Sequence, residues 1–199
     1  MIELIVVRHG ETDWNRIRRL QGHTDIALNA TGLEQAMRLR DALAAEPIAA
    51  IHASELSRAL ATARPIADRL GLPIRTDVLL RERHYGILEG KTFPEILERD
   101  PEEAEQLRLR TADHTIPGGE SQRTFFHRVV DVISAIARAA RDGETLLIVT
   151  HGGVLDMLHR SATGLALDAE RSCPIPNAVV NRIGFDDGRF VVRAWAEEA

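Results

Sequence analysis

The chain has 199 residues, 44% hydrophobic and 28% charged, which suits one globular domain burying roughly 70% of its unfolded surface. A net charge of −5 argues against a general nucleic-acid binder, and no apolar run approaches the ~20 residues of a bilayer span. A lone cysteine, Cys173, excludes an internal disulfide and fits a reducing, cytoplasmic compartment.

Met1 to Val7 carries no basic leader and runs directly into a strand, so no signal peptide is expected. The apolar run Leu4–Val7 predicts a buried strand. Thr31-Gly32-Leu33-Glu34 reads as a capping box, opening a helix with Leu33, Ala36, Met37, Leu43 and Ala44 inward. Ile48–Ala53 predicts a second strand. Ser57 then caps a helix to Leu70, stopped by Gly71 and Pro73, before a short strand at Ile74–Thr76.

Glycines and prolines punctuate residues 84–120, Thr92–Glu95 is a capping box, and Pro101 divides the helical pattern. This stretch reads as a small cap inserted over one end of a sheet. A long helix follows from Ser121, with Phe126, Val129, Val130, Ile133, Ala137 and Ala140 at helical spacing and Gly143 as its end. Leu146–Val149 predicts a buried strand and Gly153–Ala162 a helix. Val179–Phe185 and Phe190–Trp195 flank Asp186-Asp187-Gly188, a hairpin signal. Strands alternating with helices predict an α/β fold, a largely parallel sheet covered on both faces, as a single domain over residues 1–199.

Ligands of such sheets sit beyond the carboxyl ends of the strands. Arg8-His9-Gly10 follows the first strand, and Ser57-Arg58 opens the helix after the second. Glu82 lies in the turn after Ile74–Thr76, and His151-Gly152-Gly153 follows Leu146–Val149. Two histidines, two arginines and a carboxylate would thus meet at one rim. A neutral imidazole is a competent nucleophile towards phosphorus. Arg8, Arg58 and His151 would hold phosphoryl oxygens, with helix-terminal amides near Gly152 as further donors. Glu82 would protonate the leaving alkoxide.

Each residue taken singly has a plainer role. An isolated histidine is more often structural, and His23, His52, His114, His127 and His159 are read that way. Arg58 alone could make a surface ion pair, and Glu82 alone could be a solvated carboxylate. His9 and His151 lack metal-ligand spacing and sit beside arginines that would repel a cation, so no metal is expected.

The residues reached by this argument resemble the histidine phosphatase superfamily, the phosphoglycerate mutase-like family. Arg8-His9-Gly10-Glu11-Thr12-Asp13-Trp14-Asn15 is similar to its R-H-G-[EQ]-[ST]-x-W-N signature. Gln21-Gly22 and the stretch to Ala36 resemble the block that follows. Ser54 to Ala63 resembles S-x-L-x-R-A-x-x-T-A, and Leu80 to Gly90 resembles L-R-E-x-x-x-G-x-x-E-G. Pro117 to Ser121 and Val149 to Gly153 complete six blocks in order.

The resemblance implies a mostly parallel six-stranded sheet sandwiched by helices, a phosphorylated His9 and Glu82 as acid and base. It implies phosphate binding by Arg8, Arg58 and His151, with Asn15 and the Gln21-Gly22 backbone nearby. It admits two activities. The short cap with its acidic Glu102-Glu103-Ala104-Glu105 centre favours a phosphomonoesterase on small phosphorylated metabolites, with no cofactor required. Glu82-Arg83-His84-Tyr85-Gly86 resembles the mutase version of its block, in which Arg83 and Tyr85 could contact a substrate carboxylate or second phosphate. That alternative is a phosphoglycerate mutase using 2,3-bisphosphoglycerate. A phosphate-recognition module without turnover is a third possibility, opposed by the presence of nucleophile, acid and clamps. A monomer or a homodimer is expected.

Overall fold

The computed structural model describes residues 1–198, so position 199 of the expected domain lies outside the described residues. In chain order the elements are β1 (Ile2–Arg8), α1 (Asp13–Arg16), α2 (Ala30–Ala42), β2 (Ile48–Ala53), α3 (Ser57–Leu70), β3 (Ile74–Thr76), α4 (Phe93–Arg99), α5 (Pro101–Leu109), α6 (Gln122–Ala139), β4 (Thr145–Thr150), α7 (Gly152–Thr163), β5 (Val180–Asp186) and β6 (Arg189–Glu197). The strands form one six-stranded sheet ordered β3-β2-β4-β1-β5-β6. β3, β2, β4 and β1 run parallel, whereas β5 pairs antiparallel with β1 and β6 antiparallel with β5.

Side-chain alternation in the central strands explains why both faces are covered. Leu4, Val6, Leu146 and Ile148 join the core on the side of α6 and α7. Ile5, Val7, Leu147 and Val149 join the core on the side of α2 and α3. All eight are essentially inaccessible to solvent, and each such burial contributes roughly 1.5–3 kcal/mol. A third, smaller cluster of Leu88, Ile96, Ala104 and Ile116 holds the segment of α4 and α5 together. Among the described residues, no helix is long and apolar enough to cross a membrane.

Register fixes the rim on which the site is built. Arg8 pairs with Thr150 and Ala53 with Val149, so β1, β2 and β4 end level. The His9 amide donates to the Thr150 carbonyl at 2.9 Å, and the Ser54 amide to the Val149 carbonyl at 3.1 Å.

Three helices differ in detail from the sequence expectation. α2 is capped by Asn29, whose side chain accepts from the Gly32 amide at 2.8 Å, rather than by the Thr31 box. Its buried face is Gly32, Ala36 and Leu39, while Leu33 and Met37 are exposed. Gly32 causes the rotation, because it lies against the backbone of Gly10 and Glu11, where a Cβ has no room. Ser57 is the first residue of α3 and not its cap; its amide and hydroxyl both donate to Asp25, at 2.9 and 2.8 Å. α6 starts at its Ser121 cap as expected but ends at Ala139, before Gly143, and turns Phe125, Val132 and Ile136 inward together with Val129, Ile133 and Ala137.

Candidate active site

His9 leaves the end of β1 and is 3% exposed. Its Nδ1–H donates to the Gly10 carbonyl at 2.7 Å. A carbonyl can only accept, so that bond fixes the tautomer and leaves the lone pair on Nε2. Burial, then the Arg8 and Arg58 guanidiniums, hold the ring's pKa well below the ordinary 6.5. The imidazole is therefore a neutral base at physiological pH. His151 packs edge-on against it, with ring centroids 5.2 Å apart. It is fully buried, and burial, Arg58 and His9 likewise keep it neutral.

Arg58 is also fully buried. Its Nη1 and Nη2 donate to the carbonyls of Thr24 and Gly22, at 2.9 and 2.8 Å. Burial, partly opposed by Glu82, lowers its pKa to about 10, so it stays cationic. Arg8 donates from Nη1 to the Ile175 carbonyl at 2.7 Å. Arg8 Nε, Arg58 Nε and both ring nitrogens of His151 have no hydrogen-bond partner. Buried polar groups without partners are rare; Arg8 and Arg58 line one cleft and His151 packs against the His9 of that cleft, which suits an anion with several acceptor oxygens.

That cleft, of 170 Å³, is lined by Arg8, His9, Asn15, Arg19, Gln21, Gly22, Arg58, Glu82, Tyr85, Gly152, Gly153 and Arg171, with Leu20 at its edge. Glu82 faces it from the loop after β3. Its Oε1 accepts from the Arg83 amide at 2.7 Å and its Oε2 from the Gly153 amide at 2.8 Å. Each oxygen keeps a second lone-pair direction for a proton in transit. The Glu82 carbonyl is tied down by His23 Nε2–H at 3.0 Å and Arg128 Nη2–H at 3.1 Å. Thr150 at the end of β4 holds the preceding turn through the Leu80 carbonyl at 2.7 Å.

Gly153 is glycine for a stated reason. A Cβ there would overlap Glu82 Oε1 and press on Phe125 at 3.0 Å. Gly153→Ala is expected to displace the carboxylate and lower kcat by about 10-fold or more. Steady-state kinetics beside a circular dichroism spectrum that matches wild type would check this.

Of the residues singled out in the sequence, His9, Arg8, Arg58, Glu82 and His151 come together at the rim. Asn15, Gln21, Gly22, Tyr85 and Gly152 line the cleft. Asn15 Oδ1 is engaged by the Thr12 amide at 3.0 Å and by Asn177 at 3.3 Å. Gln21 donates one amide hydrogen to Thr12 at 2.8 Å, and its NH₂ group carries a second hydrogen beside the cleft that it lines. Arg83 is the exception. It is 7% exposed and does not line this cleft, because its Nε and Nη2 donate to the Glu120 carbonyl at 3.0 and 2.9 Å. It lines an adjoining pocket, where it lies over the Tyr85 ring at 5.6 Å. Burial pushes the Tyr85 hydroxyl up to about 12, so the phenol is neutral.

Sequence reading missed several contributors. Asn177 fixes the loop after β1 through the His9 carbonyl at 2.8 Å. His23, read as structural, holds the backbone of Glu82. Arg19 and Arg171 border the cleft, but nothing in the sequence separates them from the other arginines.

A family model described as histidine phosphatase superfamily (branch 1) matches residues 4–198. The chain belongs to the histidine phosphatase superfamily. Within it, phosphoglycerate mutase-like protein 4 of Arabidopsis thaliana is 37% identical over 199 residues, covering 98% of this chain and 85% of the relative. GpmB of Salmonella typhi, named a probable phosphoglycerate mutase, is 34% identical over 198 residues, covering 100% and 92%. The structure of Bacillus stearothermophilus YhfR superimposes with a TM-score of 0.92 at 36% identity, covering 100% and 98%. A mycobacterial glucosyl-3-phosphoglycerate phosphatase superimposes with a TM-score of 0.85 at 27% identity, covering 98% and 99%. Histidine phosphatase relatives thus carry both phosphatase and mutase names, and phosphoryl transfer is the chemistry they share.

The tautomer and charge of His9 make a pH prediction. A histidine whose pKa is lowered stays unprotonated as pH falls through 6.5, so a step that uses its lone pair should persist there. The acid limb of kcat/KM for an aryl phosphate, which reports the free enzyme, is expected below 6.5 once corrected for the ester's own ionisation. A midpoint at or above 6.5 would contradict a neutral His9.

Proposed function

We propose that this protein is a phosphomonoesterase acting on small phosphorylated metabolites through a phosphohistidine at His9 Nε2. The observation that carries the reading is the His9 Nδ1–H bond to Gly10, which leaves Nε2 as a neutral nucleophile in a cleft bordered by Arg8, Arg58 and Glu82. The phosphoryl oxygens of the ester accept from Arg8, Arg58 and His151. The Nε2 lone pair forms the N–P bond as the ester P–O bond breaks, and Glu82 gives its proton to the departing alkoxide. Water then attacks phosphorus and loses a proton to Glu82, while the N–P electron pair returns to His9. The balance is ester plus water giving alcohol plus phosphate, with no metal or cofactor consumed.

Hydrolysis is preferred over mutase activity because the cap's own cations are already engaged, which leaves a second acidic group to an exposed arginine outside the cap, Arg171. Arg108 pairs with Glu105 at 2.6 Å and Arg110 with Asp156 at 2.8 Å, and Arg83 serves the Glu120 carbonyl. A mutase must grip the second acidic group of phosphoglycerate firmly enough to return the phosphoryl group to it before water intervenes. The mutase reading, with 2,3-bisphosphoglycerate as cofactor, is favoured by the names of GpmB and the Arabidopsis relative. Phosphate release across a panel of monoesters, measured beside conversion of 3- to 2-phosphoglycerate, separates the two. Ester hydrolysis with negligible isomerisation is expected. Robust isomerisation that needs trace bisphosphoglycerate, with negligible hydrolysis, would overturn the proposal.

A further inference from the structure

Beside the phosphate cleft lies a second pocket of 280 Å³, and Arg171 borders both. Leu20, Tyr85, Phe93, Leu107, Phe125 and Met157 give this pocket an apolar wall. A phosphate ester seated on His9 would therefore direct its alcohol portion into a space that joins this apolar wall to Arg83, Arg108, Arg110 and Arg171, of which Arg171 is shared with the phosphate cleft.

The charge arrangement behind that arginine is unbalanced. Asp156, on α7, is 2% exposed and faces three guanidiniums: Arg110 at 2.8 Å, Arg160 at 3.2 Å and Arg171 at 3.5 Å. One carboxylate cannot neutralise three cations. Arg110 has further acceptors in Gln122 and the Leu167 carbonyl, and Arg160 in the carbonyls of Ala166 and Ala169. Among the described residues Arg171 has only the long Nε contact, and 43% of its side chain is exposed. Both of its Nη groups are uncommitted, whereas Arg83 and Arg110 each have an Nη group and Nε engaged. The Arg160 bonds also pin the loop between α7 and β5 on which Arg171 stands, so little ordering entropy is lost when a ligand docks there.

We infer that Arg171 is a specificity-determining residue that selects esters whose leaving alcohol joins an apolar body to an anionic group. This inference rests on the phosphomonoesterase reading and narrows its substrate class. The surplus positive charge favours a carboxylate or second phosphate over a neutral group of the same shape, and the fork of Arg171 suits either.

The probes are 3- and 4-carboxyphenyl phosphate and the matching carbamoylphenyl phosphates, which differ mainly in charge. The wild-type protein should prefer the carboxylates by about 10-fold or more in kcat/KM, the worth of one charge-assisted bond. In Arg171→Gln that ratio should fall to within about 2-fold of one, and Arg171→Lys should restore part of it. A wild-type ratio near one, or a ratio undiminished in Arg171→Gln, would overturn the inference. If none of the four esters is hydrolysed and the monoester panel also shows no phosphate release, the phosphatase reading fails by itself. The same charge ratio is then read from dissociation constants on His9→Ala by calorimetry, where a preference that disappears with Arg171→Gln still supports this role.

Discussion

Replacing His9 with alanine is expected to lower ester hydrolysis by about 10⁴-fold or more, the scale on which a covalent nucleophile is usually missed. The loss should fall on kcat. Arg8 and Arg58 are held by contacts that do not involve the His9 ring: Arg58 by Gly22 and Thr24, Arg8 by Ile175. The cradle should therefore still bind a phosphate ester when the ring is gone. His151 is close, at 5.2 Å between ring centroids, so the position of the label, and not the rate alone, must show that it does not substitute. Removing a buried ring also leaves a hole, so thermal melting and ester binding by calorimetry must accompany the rates. Turnover within about 10-fold of wild type would mean that water attacks the ester directly and that His9 only shapes the site.

Glu82→Gln carries the second largest expected effect, about 10²–10⁴-fold for alkyl esters. The size alone does not establish an acid, because this substitution is not silent in the structure. Both Glu82 oxygens accept from backbone amides, and the glutamine NH₂ must face one of those donors. A displaced side chain would slow every ester alike. A missing acid slows only those esters whose alkoxide needs a proton. The expected signature is a large defect for alkyl phosphates and a much smaller one for p-nitrophenyl phosphate, whose leaving group departs without help. A defect independent of the leaving group would assign Glu82 to positioning.

The architecture was largely legible because its central strands are continuous apolar runs with turn residues at their ends. The rule that α/β sheets bind ligands beyond their strand ends then brought Arg8, His9, Arg58, Glu82 and His151 to one rim without coordinates. Misreadings came where a local signal competed with a distant contact. The Thr31 box lost to Asn29 because Gly32 must lie against Gly10 and Glu11. Ser57 looked like a cap because the sequence does not reveal that Asp25 reaches it. Arg83 stood at the right place in the chain, but its side chain turns to the Glu120 carbonyl, a direction that spacing cannot specify. Asn177 and Arg171 meet the site from a loop more than 160 residues after His9 in sequence, and no periodicity relates the two.

The central claim is a covalent bond between phosphorus and one ring nitrogen. It is tested most directly by rapid acid-free quenching of the protein with a ³²P-labelled ester, followed by peptide mapping and a stability profile of the label. The account predicts a label on His9 that is labile in acid, stable in alkali and formed at least as fast as turnover. Steady hydrolysis with no such label, under conditions where Glu82→Gln or low temperature slows its breakdown, or a label resting on His151, would contradict it.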